Sequence, residues 1–541
     1  MNLVQLAQKA RKHFAVEKVH EDNNEKVRTM AHAVAINAAR EAQAPVLFFE
    51  ASTRLAGISL NAAYNLLTSW SLRLQGVPVI HLFCDRGMRS CVLGTSRKEI
   101  SDKLPCKDCM KQSDSLYVES EALRFQFQED EIFEAAIAGL ALDGCLSFSY
   151  QGIPLGELIT PSLRWILRRH NLEREPITLR IAKDYLRSAW SIAGEVGLMI
   201  DGLKPQALVV FNGMQYPEAT ARWVARQKGL KTYSHEVGLQ PFSGFFTEGD
   251  ATAYPLDLPK DFTLDEAQEV RLDDYLSKRF KGKFSMAGVQ FWPEMSQLDA
   301  SLLADLAKFE QVVPVFTNVI FDTSQPHANV IFRDMFDWLD GLLDAAKTHP
   351  ETLFIIRAHP DEARKGKASE ESVSQWAERR EIGKIWNLRF IPPEQFLSSY
   401  ELINSSKFVM VYNSTIGMEA SIMGKLVLAA GKSRYSPYET CLLPEGRSAY
   451  VATLLELLAT STVNVPAQYA ENARRFLYWQ LYRSSLPFDD FLEPDGIWNG
   501  YVKLKDFKWQ ALLPENSPAM RVISDGILHG GDFMLREGER G

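Results

Sequence analysis

The sequence of 541 residues contains no run of about 18 apolar residues, the length that a membrane-spanning helix requires. Its first residues, MNLVQLAQKARKHF, have neither the continuous apolar segment nor the small-residue cleavage site of a secretory signal. These absences lead us to expect a cytoplasmic protein. Peripheral contact with the inner face of the membrane, through a partner or a lipid acceptor, stays open.

The sequence also lacks an excess of positive charge. Its net charge is −8, so it carries no overall electrostatic footprint for nucleic acid. No low-complexity tract and no solenoid-type repeat is visible. A hydrophobic content of 46% and a charged content of 24% are typical of a folded protein with sizeable cores. At roughly 150 residues per domain, the length predicts about two to four domains.

Cysteine is scarce, with six in the chain. Cys145 and Cys441 stand alone and are interpreted as small core residues. The other four follow the pattern C-x6-C-x14-C-x2-C and are Cys84, Cys91, Cys106 and Cys109. Four thiolates suit a structural zinc ion, and C-x2-C is a common ligand spacing. An iron–sulfur cluster and four unrelated thiols are the alternatives, whereas disulfides are disfavoured in a cytosolic chain.

Strand-like and helix-like segments alternate twice along the chain. VLFFEA, a helical stretch and VPVIHLFC form one β-α-β unit, and QALVVFNG to LKTYSHEVG form another. VVPVFTNVIF and TLFIIRAHP begin a second alternating series, after the predicted linker KRFKGKFSMAGVQFWPEM. We predict an α/β fold with two Rossmann-like doubly wound domains facing a cleft, residues 44–285 and 310–460. Helical extensions at 1–43 and 461–541 flank them.

Two strand ends in the second domain carry polar residues. Arg357 and His359 are two residues apart, so both side chains leave the strand on one face. Pro360 biases His359 toward an extended conformation, which ends the strand. Ligands of open α/β sheets bind at the carboxyl ends of strands, so this pair is predicted to contact a donor nucleotide or its diphosphate. A histidine satisfied by a backbone carbonyl is the structural alternative.

The second strand ends at Asn413, Ser414 and Thr415, which open a short predicted helix. Helix N-termini bind phosphate, although plain N-capping by Ser or Thr explains the same residues. Glu419 lies five residues after Ser414, which a capping box does not explain, since that motif needs a spacing of three. We predict that Glu419 accepts hydrogen bonds from ribose hydroxyls and that Gly417 lets the ligand approach closely.

The first domain is predicted to hold the acceptor and the catalytic base. Asn212 ends one predicted strand, and His235 and Glu236 end the next. A carboxylate at that edge is suited to deprotonating an acceptor hydroxyl, so Glu236 is the predicted base and Glu218 its rival. A salt-bridged structural carboxylate is the alternative for Glu236.

Three more polar residues open the second domain. They are Thr317, Asn318 and Asp322. They are predicted to line the cleft.

RAHPDE, the segment from IPPEQF to VLAAG and ARRFLYWQLYRSSLPF resemble the capsule-polysaccharide-biosynthesis superfamily of bacterial GT-B glycosyltransferases, which includes Kdo transferases. The chain is also distantly similar to GT-B sialyltransferases, which share an HP motif and a downstream serine motif. The likeness covers roughly residues 205 to 490. It implies that His359, Ser414 and Thr415 contact the donor nucleotide and its phosphate.

The sequence therefore predicts a glycosyltransferase that moves a sugar from a nucleotide-sugar donor to a bacterial surface or capsular glycan. No cofactor is required for catalysis in this interpretation, since helix N-termini and basic side chains can carry the diphosphate charge. The alternatives are a nucleotide-sugar 2-epimerase on the same scaffold and a non-catalytic glycan-binding or assembly protein, because a fold alone does not determine function.

Overall fold

The computed structural model describes residues 3–39, 42–51, 55–99, 103–281 and 295–539. Its strands are β1 (Val46–Glu50), β2 (Ile58–Ser59), β3 (Val79–Cys84), β4 (Glu121–Phe125), β5 (Ala207–Phe211), β6 (Lys231–Val237), β7 (Ser243–Glu248), β8 (Gln311–Phe316), β9 (Thr352–Arg357), β10 (Leu388–Ile391), β11 (Val409–Val411), β12 (Val427–Ala429), β13 (Leu486–Pro487), β14 (Leu492–Pro494) and β15 (Tyr501–Leu504).

The α-helices are α1 (Leu3–Asn37), α2 (Leu60–Leu74), α3 (Cys106–Leu116), α4 (Glu131–Ala138), α5 (Leu142–Leu146), α6 (Leu155–Leu167), α7 (Pro176–Leu203), α8 (Tyr216–Gln227), α9 (Glu266–Phe280), α10 (Ala300–Leu306), α11 (Met335–Thr348), α12 (Val373–Arg379), α13 (Ser399–Asn404), α14 (Ile416–Ile422), α15 (Arg447–Ala459), α16 (Ala467–Tyr478) and α17 (Pro518–His529). Among the described residues, no helix combines the length and the apolarity that crossing a bilayer demands.

The first sheet has seven strands in the order β13-β7-β6-β5-β1-β3-β4. The five strands from β6 to β4 are parallel. At one edge β7 runs antiparallel to β6, and β13 runs antiparallel to β7. Successive side chains of β1 point to opposite faces, so Phe48 enters one core and Phe49 the other. Burial on both faces explains the continuous apolar run of β1. Because the chain winds outward from β1 in both directions, the loops after β1 and β5 flank a topological switch point.

The second sheet has five parallel strands in the order β10-β9-β8-β11-β12. β8 comes first in the chain, β9 and β10 extend the sheet on one side, and β11 and β12 extend it on the other. The switch point of this sheet therefore lies between the loops after β8 and β11. Two doubly wound α/β sheets of this kind confirm the predicted fold class.

The two predicted extensions contact the rest of the chain in different places. The N-terminal extension forms one long helix, α1, which packs on α2 and α3. In the C-terminal extension, α16 packs against α14 and α9. Farther along, β13 pairs with β7 and α17 packs on α2, so this part of the chain lies against the first sheet. A strand of two residues has no recognisable period, so the sequence did not reveal β13.

Some elements differ from the sequence patterns. β4 was not among the predicted strands, because only Phe125 of its five side chains is buried and no buried-strand pattern results. α11 begins at Met335, because the Asp334 carboxylate accepts the N–H of Asp337 at 2.9 Å and caps the helix. β8 ends at Phe316, before the end of its predicted run.

The two sheets are joined by direct contacts. Asp250 Oδ2 lies 2.6 Å from His327 Nε2. The Glu371 carboxylate accepts the backbone N–H groups of His170 and Asn171, each at 2.9 Å. Helix α9 reaches into the start of the predicted linker, and the remainder at 282–294 lies outside the described residues, so the domain boundaries stay predictions.

Candidate active site

Glu236 lies near the carboxyl end of β6 with both carboxylate oxygens engaged. Oε2 accepts the side-chain N–H of Asn212 at 2.9 Å, and Oε1 accepts that of Asn61 at 3.3 Å. The backbone N–H of Val237 also donates to Oε1, at 2.9 Å. Glu236 is half-buried, so its orientation is restrained while part of it reaches solvent. Its partners are neutral amides and no cation is among these contacts, which argues against the salt-bridged structural alternative.

His235 is fully buried behind Glu236, so it is not placed where it would touch an acceptor. Its Nε2 lies 2.7 Å from Asn65 Oδ1, and its Nδ1 lies 3.3 Å from Asn61 Oδ1. Burial lowers the pKa of His235 to about 3, so the imidazole is neutral and donates through one nitrogen only. The shorter contact assigns that proton to Nε2. His235 therefore positions the two α2 asparagines rather than lining the cleft.

Glu218, the rival base, lies in the first turn of α8 and is 4% exposed. Burial raises its pKa to about 8, and the nearby charge of Glu50 acts in the same direction. Near pH 7 this carboxyl is mostly protonated, so it holds a proton rather than accepting one. This argues for Glu236 as the base.

Glu218 is expected to make the protein less stable as the pH rises. A carboxyl whose folded pKa is raised contributes stability that is fully present below its unfolded pKa, 4.5, and is lost as the pH rises through about 8. Removing the charge in Glu218→Gln should therefore flatten the decline of the unfolding free energy between about pH 5 and pH 8. Urea unfolding across this range measures the decline.

The matched control for this pH dependence is Glu157→Gln. Glu157 occupies the same first-turn position in α6 but is exposed. Its replacement should leave the pH profile of the wild type unchanged. Equal profiles for the wild type and both variants would contradict the buried, protonated state of Glu218.

The second switch point brings two predicted residues into direct contact. Asn318 follows β8 and Asn413 follows β11, and Asn318 Nδ2 donates to Asn413 Oδ1 at 2.6 Å. Gln325 Nε2 contacts the same oxygen at 3.3 Å. Thr317 is buried and donates its hydroxyl to the carbonyl oxygen of Arg357 at 3.1 Å, so it links β8 to β9 and does not line the cleft.

His359 follows β9 and is held by the turn after it. Its Nδ1 accepts the backbone N–H of Asp361 at 3.2 Å, so the neutral ring carries its proton on Nε2 and acts there as a donor. Burial lowers the pKa of His359, while the charges of Asp361 and Asp322 oppose that shift. Arg357 turns toward other partners, since its guanidinium contacts the carbonyl oxygen of Gln395 at 3.4 Å. Burial lowers the pKa of Arg357 to about 10.

Ser414 and Thr415 precede α14 without capping it through their side chains. The carbonyl oxygen of Ser414 accepts the hydroxyl of Tyr435 at 2.7 Å, which fixes the loop. The structure gives a reason for glycine at position 417 that differs from the predicted approach of a ligand. A Cβ at this position would overlap the Tyr435 hydroxyl, so glycine makes room for a tyrosine and not for a ligand.

Glu419 does not occupy the predicted ribose-binding position. It is 2% exposed, its Oε1 forms an ion pair with Arg279 of α9, and its Oε2 accepts the hydroxyl of Tyr400 at 2.6 Å. Both oxygens are therefore committed to neighbouring protein groups. The structure corrects the prediction to a structural ion pair between α9 and α14.

Two residues that sequence reasoning missed, Tyr254 and Arg434, stand between the domains. The Arg434 guanidinium lies 3.4 Å from the centroid of the Tyr254 ring, and the Tyr254 hydroxyl donates to the carbonyl oxygen of Val237 at 2.7 Å. Burial raises the pKa of Tyr254, and the charges of Arg434, Glu236 and Asp322 all act on the same phenol. This pair therefore links the end of β6, next to Glu236, with the segment after β12 in the second domain. Arg434 follows β12, so its position at a strand end was the available signal.

A second arginine, Arg168, lies at another junction of the domains. It is 6% exposed, and its guanidinium lies 4.2 Å from the Trp165 ring centroid and 5.0 Å from that of Phe321. Within the described ranges, its Nε and Nη1 have no hydrogen-bond partner. Burial and the charge of Arg97 lower its pKa to about 10, which leaves it cationic near pH 7.

A cavity of about 250 Å³ also lies between the domains, beside Asn171 and Glu371. Its charged lining is largely paired within the protein, as in the ion pairs of Arg380 with Asp340 and of Arg447 with Asp337. We therefore assign the candidate active site to the two switch points and not to this cavity.

No family model matches the sequence. A segment of 107 residues is 30% identical to Protein FixF from Sinorhizobium fredii, covering 19% of this chain and 22% of that protein. A Thermosulfurimonas dismutans structure, KpsC, beta Kdo 2,4 transferase, is similar with a TM-score of 0.33 and 13% identity, covering 52% of this chain and 80% of that one. UDP-GlcNAc 2-epimerase from Neisseria meningitidis bound to UDP-GlcNAc has a TM-score of 0.25 and 13% identity, covering 80% and 98%. At these TM-scores the likenesses favour neither reaction.

Proposed function

We propose that the chain transfers a sugar from a nucleotide-sugar donor to a hydroxyl of a glycan or glycolipid acceptor, as bacterial surface or capsular polysaccharide synthesis requires. The observation that carries this proposal is the placement of Glu236. Its carboxylate is oriented by Asn61 and Asn212 at the switch point of the first sheet. Tyr254, whose hydroxyl donates to the carbonyl oxygen of Val237 next to Glu236, packs its ring against Arg434 of the second domain. A base on one wall and polar loops on the other suit an acceptor and a donor that meet in the cleft.

The second domain offers neutral donors and one cation for the nucleotide. The Asn318–Asn413 pair marks the switch point, and the hydroxyls of Ser414 and Thr415 stand beside it. His359 adds an Nε2–H donor. We assign Arg434 to the diphosphate, because its guanidinium reaches the cleft on the face of Tyr254. With these groups, the proposed reaction needs no metal ion on the diphosphate.

In the proposed reaction, Glu236 takes the proton of the acceptor hydroxyl as the acceptor oxygen attacks the anomeric carbon. A new C–O bond forms there while the bond from that carbon to the phosphate oxygen breaks. The electron pair of the broken bond stays on the phosphate oxygen of the departing nucleotide. Hydrogen bonds from His359 and the charge of Arg434 stabilise the negative charge that develops on that leaving group.

A thermal-shift panel of CMP, CDP, UDP, GDP and dTDP tests the donor site. One nucleotide is expected to raise the melting temperature of the wild type, since a ligand that binds the native state at 100 times its Kd stabilises it by about 2.7 kcal/mol. His359→Ala with Ser414→Ala should weaken that nucleotide at least about tenfold, a loss of about 1.4 kcal/mol. The measurement is the shift as a function of nucleotide concentration.

His349→Ala is the matched control for the donor site. His349 ends α11 and precedes β9, so it lies at the amino edge of the same sheet, away from the candidate site. Its variant should bind the nucleotide as the wild type does. Equal nucleotide affinity in the wild type and the double variant would contradict the assigned donor site. No shift with any nucleotide, repeated at millimolar concentration, would favour the non-catalytic glycan-binding role.

A nucleotide-sugar 2-epimerase is the second candidate, and one observation favours it. Glu50 and Glu218 join Glu236 at the carboxyl edge of the first sheet, with Asn65 donating to Glu50 at 3.2 Å. Sugar transfer needs one carboxylate base, whereas this edge carries three carboxyl groups. Epimerisation exchanges a proton on the sugar and would use more than one acid or base group.

Incubating the protein with each nucleotide sugar in heavy water, without an acceptor, separates the two reactions. Epimerisation must break the C2–H bond, so it incorporates deuterium at C2 and yields a C2-epimeric sugar. Transfer leaves that bond intact and needs the acceptor. Deuterium at C2 would replace the transferase proposal with the epimerase.

A further inference from the structure

Four of the six cysteines meet at one place outside the candidate active site. Cys84 ends β3, Cys91 follows in the next loop, and Cys106 and Cys109 lie in the first turn of α3. All four line a single cavity of about 20 Å³. None of them forms a disulfide. The other side chains that line this cavity are mostly apolar and include Met88, Leu93, Leu104 and Pro105.

The loop after Cys84 bends so that a backbone donor faces the sulfur. Gly87 donates its N–H to Cys84 Sγ at 3.3 Å. The turn needs Arg86 in the left-handed region, with φ of 55°, and glycine at 87, where a Cβ would overlap the Phe125 ring. Hydrogen bonds of this kind favour the charged form of the sulfur that accepts them.

Cys91 shows the same arrangement in the following loop. The backbone N–H groups of Leu93 and Gly94 both favour its thiolate. Gly94 and Thr95 also donate their N–H groups to the carbonyl oxygen of Cys91, at 3.0 and 2.8 Å, which closes the turn. Two successive turns of the connection from β3 to α3 therefore direct backbone donors at cysteine sulfurs around one cavity.

The third and fourth cysteines share a helix face. Cys106 and Cys109 are three residues apart in α3, so their side chains are neighbours on the helix surface. They lie at the helix N-terminus, where the helix dipole favours negative charge. Both sulfurs therefore face the same cavity from one turn of α3.

The common cavity brings the four sulfurs together from three parts of the chain. All four side chains are half-buried, so their sulfurs are partly shielded from water. A metal ion binds cysteine as the thiolate, so its binding would release the thiol protons.

We propose that Cys84, Cys91, Cys106 and Cys109 bind one structural Zn²⁺ ion as four thiolates. The single small cavity suits one ion of this kind and not an iron–sulfur cluster, which needs room for several atoms. In the described part of the chain, no group of three or more His, Cys, Asp or Glu side chains already stands in a metal-holding arrangement. Binding therefore requires the sulfurs to rotate inward, to about 2.3 Å from the ion.

The proposed ion would fasten the segment between β3 and α3 to the first sheet. Ala51, which follows Glu50 at the end of β1, lines the same cavity. The ion would thus stand directly beside the carboxyl edge that holds Glu50 and, two strands away, Glu236. Its role in this inference is structural, and it takes part in no step of the proposed transfer.

The test is the metal content of the purified full-length chain, by elemental analysis. The wild type is expected to hold about one zinc per chain, released stoichiometrically by a thiol-modifying mercurial. The same protein loaded with Co²⁺ should show the thiolate-to-cobalt charge-transfer bands and the strong visible bands of a tetrahedral site. These measurements need no variant, so they stay decisive if a cysteine variant fails to fold.

Cys106→Ser with Cys109→Ser should abolish zinc binding. The matched control is Cys145→Ser with Cys441→Ser, which changes two buried cysteines outside the group and should leave the zinc content unchanged. A wild type without zinc after expression in zinc-supplemented medium would overturn the inference, as would iron with acid-labile sulfide, or full zinc content in the first variant. Nucleotide affinity is measured separately, so the outcome is independent of the proposed function.

Discussion

Replacing Glu236 by glutamine is expected to lower the turnover of the proposed transfer by roughly 100- to 10,000-fold, the usual contribution of a positioned general base. Glutamine preserves the shape of the side chain but cannot accept a proton at neutral pH. The amide NH2 of the glutamine must face the donor of either Asn61 or Asn212, so one hydrogen bond of about 1 kcal/mol is lost. Folding should therefore survive the change while the chemical step does not.

Product formation by mass spectrometry, with the donor that the nucleotide panel identifies, measures this effect. A loss in kcat with little change in KM is the expected signature of a group that acts in the transition state. Glu248→Gln is the matched control, because Glu248 lies in β7 opposite Tyr233, toward the amino end of β6, and is exposed. Its turnover should equal that of the wild type. Full turnover of a correctly folded Glu236→Gln variant would show that another group is the base.

Removing Glu419 is expected to be the most destabilising single change at the candidate site. Glu419→Ala leaves the Arg279 guanidinium buried without its counter-charge, and Tyr400 loses its acceptor. Breaking one partner of a buried ion pair costs about 3 to 5 kcal/mol. The unfolding free energy from urea titration should fall by that amount, because both side chains are largely shielded from water, at 13% and 2% exposure.

A second ion pair from the same helix provides the control. Glu269 of α9 pairs with Arg474 of α16, and both side chains are more exposed, at 40% and 22%. Glu269→Ala should cost about 1 kcal/mol or less, as partly solvated pairs do. Equal costs for Glu269→Ala and Glu419→Ala would contradict the structural assignment. A Glu419→Ala variant of unchanged stability that had lost nucleotide binding would restore the predicted contact with ribose.

The fold class was within reach of the sequence because both sheets are mostly parallel and buried on both faces. Strands of this kind appear as continuous apolar runs, such as VLFFE and TLFIIR, that end abruptly at polar residues. The polar residues then mark the carboxyl edges, which is how Asn318, Asn413 and Glu236 were found. The short edge elements β4 and β13 were missed, since they have few buried side chains or too few residues for a period.

The roles of individual polar side chains were harder to predict from the sequence. Each role depends on which residues of distant segments pack against that side chain. Glu419 had the position of a ribose ligand, and Arg279, 140 residues earlier, made it a structural carboxylate. Glu218 and Glu236 both lie near the carboxyl edge of the first sheet, and burial distinguishes the protonated Glu218 from the half-buried Glu236. The guanidinium of Arg434 is positioned by its contact with the ring of Tyr254, which lies 180 residues earlier in the chain.

The sequence by itself determined the two doubly wound domains and the strand ends at which their polar residues gather, since hydrophobic period and chain reversal are local properties. It also determined which four cysteines were available for a common site. The tertiary structure alone decided that those cysteines share one cavity, that His235 is buried and neutral, and that Glu419 is paired. Burial and charge pairing set proton affinity and access, and both arise only when segments far apart in the chain come together.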